Sequence, residues 1–257
     1  MFVEGRIHAL ILLIVATVIC IYYMQRKELP YIRRVPALDA IDEAIGRATE
    51  MGKPIVCSHG IAVAGFDYWT MAGLSILAYV ARHCAKTDTR LIVPCGGSEQ
   101  SYTVTEVARE LVRTQYVLEG KPEAFRLEDM PFLSGRQFPW ASAYVGMLLR
   151  ERPGANIWVG VQWASAMYIA EVTYQVGAIG IAGTSYLANI SVLATSADYV
   201  MIGEELPAAG AYLSKDPAQL ASIRMQDIMK VIGLIILVVG VIAMTMGNYF
   251  MVKILSW

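Results

Sequence analysis

Hydrophobic residues are concentrated at the two ends of the chain and fall in short periodic runs between them. Ile7 to Met24 is apolar apart from His8, and Val231 to Val252 is interrupted only by Thr245 and Asn248. A hydrocarbon core about 30 Å thick needs roughly 20 apolar residues of helix. The second run meets that length. The first reaches it with Tyr22 and Tyr23 in the interface, where amphipathic rings are favoured. The first run has no small-x-small cleavage site and passes directly into Gln25-Arg26-Lys27, so an uncleaved anchor is expected, not a signal peptide. The expected segments are an external N-terminus (1–6), a transmembrane helix (7–24), a basic juxtamembrane linker (25–36), an α/β domain (37–228), a second transmembrane helix (229–253) and an external C-terminus (254–257).

Between the spans the pattern alternates. Ala37–Met51, Tyr68–Ala85, Val104–Leu118, Trp140–Leu149 and Ala166–Val176 carry apolar residues at helical spacing, and a short helix is expected near Leu187–Ala194. Thr103 and Glu106 form a capping-box pattern at the start of the third of these. Short apolar runs at Ile55–Cys57, Arg90–Pro94, Met130–Leu133, Ile157–Val161, Ile179–Ala182 and Tyr199–Ile202 read as strands. A last helix begins after Pro207 and runs from about Pro217 into the second span. Strands that alternate with helices predict βαβ units around a parallel sheet covered on both faces. The expected fold class is α/β, with a mostly parallel, doubly wound (Rossmann-like) sheet flanked by one transmembrane helix at each end.

Charge sets the expected topology. Arg26, Lys27, Arg33, Arg34, Arg224 and Lys230 lie on the domain side of the spans, and only Arg6 and Lys253 on the other. The positive-inside rule then makes the domain cytoplasmic, with both termini outside a cell membrane. Net charge is −1 over 257 residues, which gives no electrostatic sign of a nucleic-acid partner. The lipid bilayer is the expected partner, together with a second copy of the chain or a subunit of a membrane complex. Gly233, Gly240 and Gly247 recur every seven residues, with Ala243 on the same stripe; Ala9, Ala16 and Cys20 make a similar stripe on the first span. Small residues let helices approach closely in lipid, within one chain or between chains.

Candidate chemistry gathers in the loops after the strands, because open parallel sheets bind ligands beyond their carboxyl ends. Gly96, Gly97 and Ser98, and Gly183, Thr184 and Ser185, could offer backbone N–H groups to a small anion; the same residue types are also ordinary turns and caps. Cys57, His59 and Glu205 are the reactive candidates; Cys57, His59 and Cys95 could meet as a nucleophile pair or soft-metal site. Equally, strand-end cysteines are common small core residues, and one carboxylate of Glu204-Glu205 could cap the next helix. The nucleotide fingerprints fail: Gly60-x-x-x-x-Gly65 is followed by Phe66-Asp67 where a P-loop needs Lys-Ser/Thr, and no G-x-G-x-x-G follows a strand. No cofactor, zinc or other metal signature is present, and no G-x-S-x-G elbow. Tyr68, Trp69, Trp140, Tyr144, Trp158, Trp163, Tyr168 and Tyr186 exceed what one core needs, so part of this set is expected at a protein interface.

Leu91-Ile92-Val93-Pro94, Gly180-Ile181-Ala182-Gly183-Thr184, Asp198 to Leu206 and Ala211-Tyr212-Leu213-Ser214 resemble an uncharacterised family of prokaryotic membrane proteins defined by a domain of unknown function. The resemblance covers most of Ala37–Ile228 and the following span. It implies a membrane-tethered α/β domain and brings no catalytic residue. The leading expectation is a structural or assembly protein that oligomerises through its aromatic surface and glycine-striped spans. The rival is a membrane-tethered small-anion-binding domain or enzyme that uses the strand-end loops. A third reading is an accessory subunit of a larger membrane complex.

Overall fold

A computed structural model describes residues 7–26, 31, 33, 35–247 and 249, with residues 7 and 8 as main chain only. The expected external segments 1–6 and 254–257, and Lys27, Arg34 and Lys253 of the charge argument, lie outside the described residues. The chain divides into two compact units. One is formed by its two ends, Met1–Ile32 with Lys215–Trp257; the other is Arg33–Ser214.

The first unit contains α1 (Ile7–Met24) and α9 (Pro217–Thr245), which pack together. Helix α9 opens at Pro217 because proline suits the first helical position. The Asp216 carboxylate accepts from Ala218 N at 3.2 Å, and the helix continues unbroken to Thr245. It is long and apolar enough to cross a membrane, with a mean hydropathy of 2.6. Among the described residues it alone meets that standard, so a span-length helix is found at one end and not at both. The apolar stretch Ala9–Met24 at the other end is shorter.

The small-residue stripes divide. Ala16, Ile19, Cys20 and Tyr23 of α1, and Ile232, Ile236, Gly240 and Ala243 of α9, are half-buried along one row of each helix, whereas Ala9 and Gly233 are exposed. Gly247 lies past the helix end with φ +79°, where its N–H closes the last turn on Met244 O at 2.9 Å. A methyl group at Gly233 or Gly240 would meet nothing within 4 Å, so neither glycine is pressed against α1.

The second unit is built on a five-stranded parallel sheet. Its strands are β1 (Ile55–Ser58), β2 (Leu91–Ile92), β5 (Ala155–Trp158), β6 (Ile179–Thr184) and β7 (Tyr199–Ile202), in the order β2-β1-β5-β6-β7. The intervening β3 (Cys95–Gly96) and β4 (Phe132–Ser134) pair with each other in a separate small parallel sheet. Cys95–Gly96, expected as loop, is therefore strand. The helices are α2 (Pro36–Glu50), α3 (Tyr68–Thr87), α4 (Ser101–Leu118), α5 (Gln137–Glu151), α6 (Ser165–Gln175), α7 (Leu187–Ser196) and α8 (Glu205–Ser214). Alternation along the strands decides which helices cover which face. Ile55, Cys57, Leu91, Ala155, Ile157, Ile181 and Met201 join the core formed by α2, α3, α4 and α8. Val56, Ile92, Trp158 and Ala182 join that of α5, α6 and α7.

One sequence expectation on α4 is corrected. The helix begins before Thr103, so the capping box does not form. Ser98 Oγ accepts from Ser101 N (3.2 Å), and Glu106 pairs with Arg109 (2.7 Å). Arg109 also donates to Met130 O.

On the α5–α6–α7 face one polar chain is fully buried. Tyr144 donates to Asn156 Oδ1 (2.7 Å), Asn156 Nδ2 to Thr173 Oγ1 (2.7 Å), and Thr173 to Ile169 O (2.6 Å). Each member satisfies the next, so the chain fixes the seating of α5 and α6 on the sheet. Asn156→Ala leaves the Tyr144 hydroxyl without its acceptor and Thr173 Oγ1 without its donor, and is expected to cost about 2–4 kcal/mol. Tyr144→Phe, which orphans only the amide oxygen, is expected to cost about 1–2 kcal/mol. Urea unfolding of the full chain followed by tryptophan fluorescence checks both.

Candidate functional site

The direction in which the sheet grows reverses between β1 and β5, and such a switch point is where open α/β sheets bind ligands. Its two loops cross in main-chain contact. Gly60 (φ +91°) and Gly160 (φ +96°) both lie in the left-handed region. A Cβ on Gly60 would stand 2.9 Å from Val161 N and O, and one on Gly160 would collide with His59 O. Ile61 N donates to Val161 O (3.0 Å) and Val159 N to Ser58 O (3.0 Å), stitching the crossing together. The Ile61 side chain then fills the remaining space against Gly97, where a Cβ would lie 2.5 Å from Ile61 Cγ2. The switch point is closed by the chain's own atoms.

The expected anion-binding residues are occupied in the same way. Gly96 faces Ser134 O and the Trp140 indole, and Gly183 faces Leu206 and Val159; a Cβ at either meets atoms at 3.0 Å or less. These glycines permit close packing. Ser98 Oγ donates to Ala62 O (3.1 Å) as well as accepting from Ser101 N. Thr184 Oγ1 accepts from Tyr186 N (3.1 Å) at the start of α7, and the Asp67 carboxylate caps α3 through Thr70 N (2.7 Å). Ser185 is half-buried beside them. The donors that an incoming anion would need at α3 and α4 are already bonded to protein oxygens.

The reactive candidates are not brought into one constellation. Cys57 and Cys95 are fully buried in the core under α3 and α4. Burial, and then the neighbouring Cys84, push the Cys57 thiol far above its ordinary range. Burial pushes Cys95 up to about 12, against smaller opposing effects of Arg109 and Thr105. Protonated thiols of this kind are packing groups, not nucleophiles. Glu205 Oε2 accepts from Ile202 N (3.1 Å), tying the start of α8 to β7. Among the described residues no three His, Cys, Asp or Glu side chains cluster as a metal site.

His59 is buried, and burial pushes its pKa down to about 4, its own backbone opposing weakly. The residue that sequence reasoning does not single out is Gln162, wholly buried at the crossing. Asn189 of α7 donates from Nδ2 to Gln162 O and Trp163 O, which pins this loop from the other side.

The largest cavity described lies elsewhere. A groove of 790 Å³ runs along α5, α6 and α7, lined by Phe138, Val145, Met167, Tyr168, Val172 and Val192 among others, with Glu171 as its one charged lining residue. Glu171 is bonded to Gln175 at 2.9 Å. A smaller cavity of 200 Å³ lies beside Arg90. That residue is held by the nearly buried Asp129 and by Glu151, at 2.5 and 2.7 Å.

The structure thus defines a parallel α/β protein with a closed switch point and a helical unit that includes one membrane-length helix. The chain belongs to the family described as domain of unknown function DUF6754, whose model matches residues 1–255. Comparisons with curated proteins and with solved structures find no match.

Two predictions test the closed edge. Gly160→Ala, strained at positive φ and driven into His59 O, is expected to destabilise the full chain by at least about 2 kcal/mol in urea unfolding. His59 supplies a pH dependence. Above pH 6.5 it is neutral folded or unfolded; between 6.5 and about 4 only the unfolded chain binds the proton. Stability therefore falls as pH drops through that window, by about 3 kcal/mol in full. His59→Leu is expected to flatten this part of the profile; an unchanged slope would assign the acid sensitivity to other groups.

Proposed function

We propose that the protein is a membrane-anchored assembly module whose α/β domain binds a second copy of the chain through the α5–α6–α7 face. The observation that carries this reading is the apolar groove on that face. Monomeric soluble surfaces rarely hold large contiguous apolar patches, and those that do usually mark interfaces. The rows that line the groove also carry projecting rings and branches. Phe138, Val145 and Leu149 follow one face of α5, and Met167, Tyr168 and Tyr174 one face of α6, with Tyr174 79% exposed. A face that offers both a groove and protruding side chains meets the self-complementarity that a two-fold contact requires. The closed switch point weighs against the rival small-anion reading.

The same proposal takes α1 as a second, shorter span and the sheet as doubly wound and Rossmann-like. It places the domain in the cytoplasm with both termini outside, on the Lys/Arg asymmetry. A span shorter than the hydrocarbon core is accommodated by local thinning or by oligomerising at modest cost. Gly233, with open space beside it, is then available to a helix of another copy.

Light scattering of detergent-purified protein is expected to give a dimer or larger assembly that Met167→Glu with Tyr168→Glu dissociates, leaving the circular dichroism unchanged. Gly233→Leu is expected to weaken it further. A wild-type monomer at every concentration rules the assembly reading out. Proteolysis of intact cells is expected to spare Arg33–Ser214, and cleavage there from outside would reverse the topology.

A further inference from the structure

The closed switch point holds polar atoms that its own packing leaves without partners. Both imidazole nitrogens of His59, both carboxamide atoms of Gln162 and the hydroxyl of Thr70 are buried and unbonded. Leaving such groups buried and unbonded is unfavourable relative to water. Their setting is shared. Gly73 packs on the His59 main chain, with a Cβ there 2.8 Å from His59 O, and Thr70 lies one turn earlier on the same face of α3. The crossing of Gly60 with Val161 brings the Gln162 loop to the same place.

The segment that follows His59 is strained. Gly60, Ala62 and Gly65 have φ of +91°, +46° and +72°, and Ala62 adopts the left-handed region although it is not glycine and is wholly buried. Strain of this kind concentrates at clamps and switches. Few bonds hold the segment down: Ile61 N to Val161 O (3.0 Å), Ser98 Oγ to Ala62 O (3.1 Å) and Gly60 N to Ser58 Oγ (3.2 Å). Beside the main-chain crossing, the side chain that fills the remaining space is Ile61.

We propose that Gly60–Gly65 is a lid, and that its opening uncovers a crevice between the ends of β1 and β5 for a small uncharged ligand with both a donor and an acceptor, an amide or a nitrogen heterocycle. Residues 58–62, 97–98 and 159–162 include no Asp, Glu, Lys or Arg, so a charged ligand would be buried without a counter-charge. Neutral imidazole and carboxamide each present one side that donates and one that accepts. Asp67 and Ser98 already cap α3 and α4, which removes the usual attraction for an anion there. The inference stands apart from the assembly reading, which rests on a different face.

Hydrogen exchange of the full chain in detergent micelles, followed by mass spectrometry, tests the lid. Peptides covering 60–65 are expected to exchange at least about 100-fold faster than those of β1 and β5, through a local opening. Ile61→Ala, which shortens the buried side chain against Gly97, is expected to raise that rate further relative to β1 and β5. Nicotinamide and acetamide, each at about 50 mM, are expected to slow exchange in 60–65 and around Gln162. Gln162→Leu, which keeps the volume and removes the carboxamide, is expected to abolish that protection with the circular dichroism unchanged. Exchange of 60–65 only in step with β1 and β5 overturns the lid. Protection by neither probe, or protection that survives in Gln162→Leu, overturns the crevice.

Discussion

The contact on which the α/β domain depends is the passage of the Gly60 turn over the Gly160 turn. Strands β1 and β5 are neighbours at the centre of the sheet, and their exit loops leave from the same edge. Any side chain at either glycine would meet main chain, so the two loops could not cross at this distance. The crossing places Ile61 over the switch point and brings Val161 within reach of its N–H. An edge that in other sheets of this kind stays open for a ligand is here closed by backbone. The remaining loops follow the same logic, with Gly97 against Ile61 and Gly183 against Leu206.

Closing that edge shifts the balance between chemistry and surface. Cys57 and Cys95 become core atoms with thiols held protonated, and Ser98, Thr184 and Glu205 spend their oxygens on neighbouring backbone. The outer side of α5, α6 and α7 meanwhile leaves a groove whose walls are apolar. Beneath it the helices are held rigidly: Trp140 donates to Pro94 O at 3.2 Å and packs edge-on to Tyr144, whose hydroxyl starts the buried chain through Asn156. A packed helical face with an apolar groove fits the proposed docking role, because little ordering is left to be done on binding.

Much of this was legible in the sequence. The alternation of short apolar runs with helical periodicity located the main-sheet strands and the helices between them, since each burial pattern has its own period. What stayed hidden depends on contacts between distant residues. Thr103 and Glu106 match a capping box, but Ser98 reaches the helix first because the loop before α4 turns back on Ala62. Cys95–Gly96 is too short to show a period and becomes strand only by pairing with Phe132–Ser134. Gly96, Gly97 and Gly183 read equally as phosphate loops or as turns; Trp140, Ile61 and Leu206, all far away in sequence, decide for packing. Gln162 carried no signal, because nothing local distinguishes a buried carboxamide from a solvated one.

The closed edge and the groove are also mechanically continuous. Asn189 stands near the start of α7 and donates to the carbonyls of Gln162 and Trp163, the residues that lead into α6. One amide thus fixes the N-terminal ends of both helices against the loop that crosses Gly60. Met167 and Tyr168 follow within the first turn of α6, and Val192 lies one turn beyond Asn189 on α7; all three line the groove. The height of the groove walls is therefore referenced to the backbone of the switch point and not to solvent. The proposed lid at Gly60–Gly65 and the proposed docking face on α6 and α7 meet at this contact and in the core that Ile61 shares with Ala141, Ala166 and Ile169.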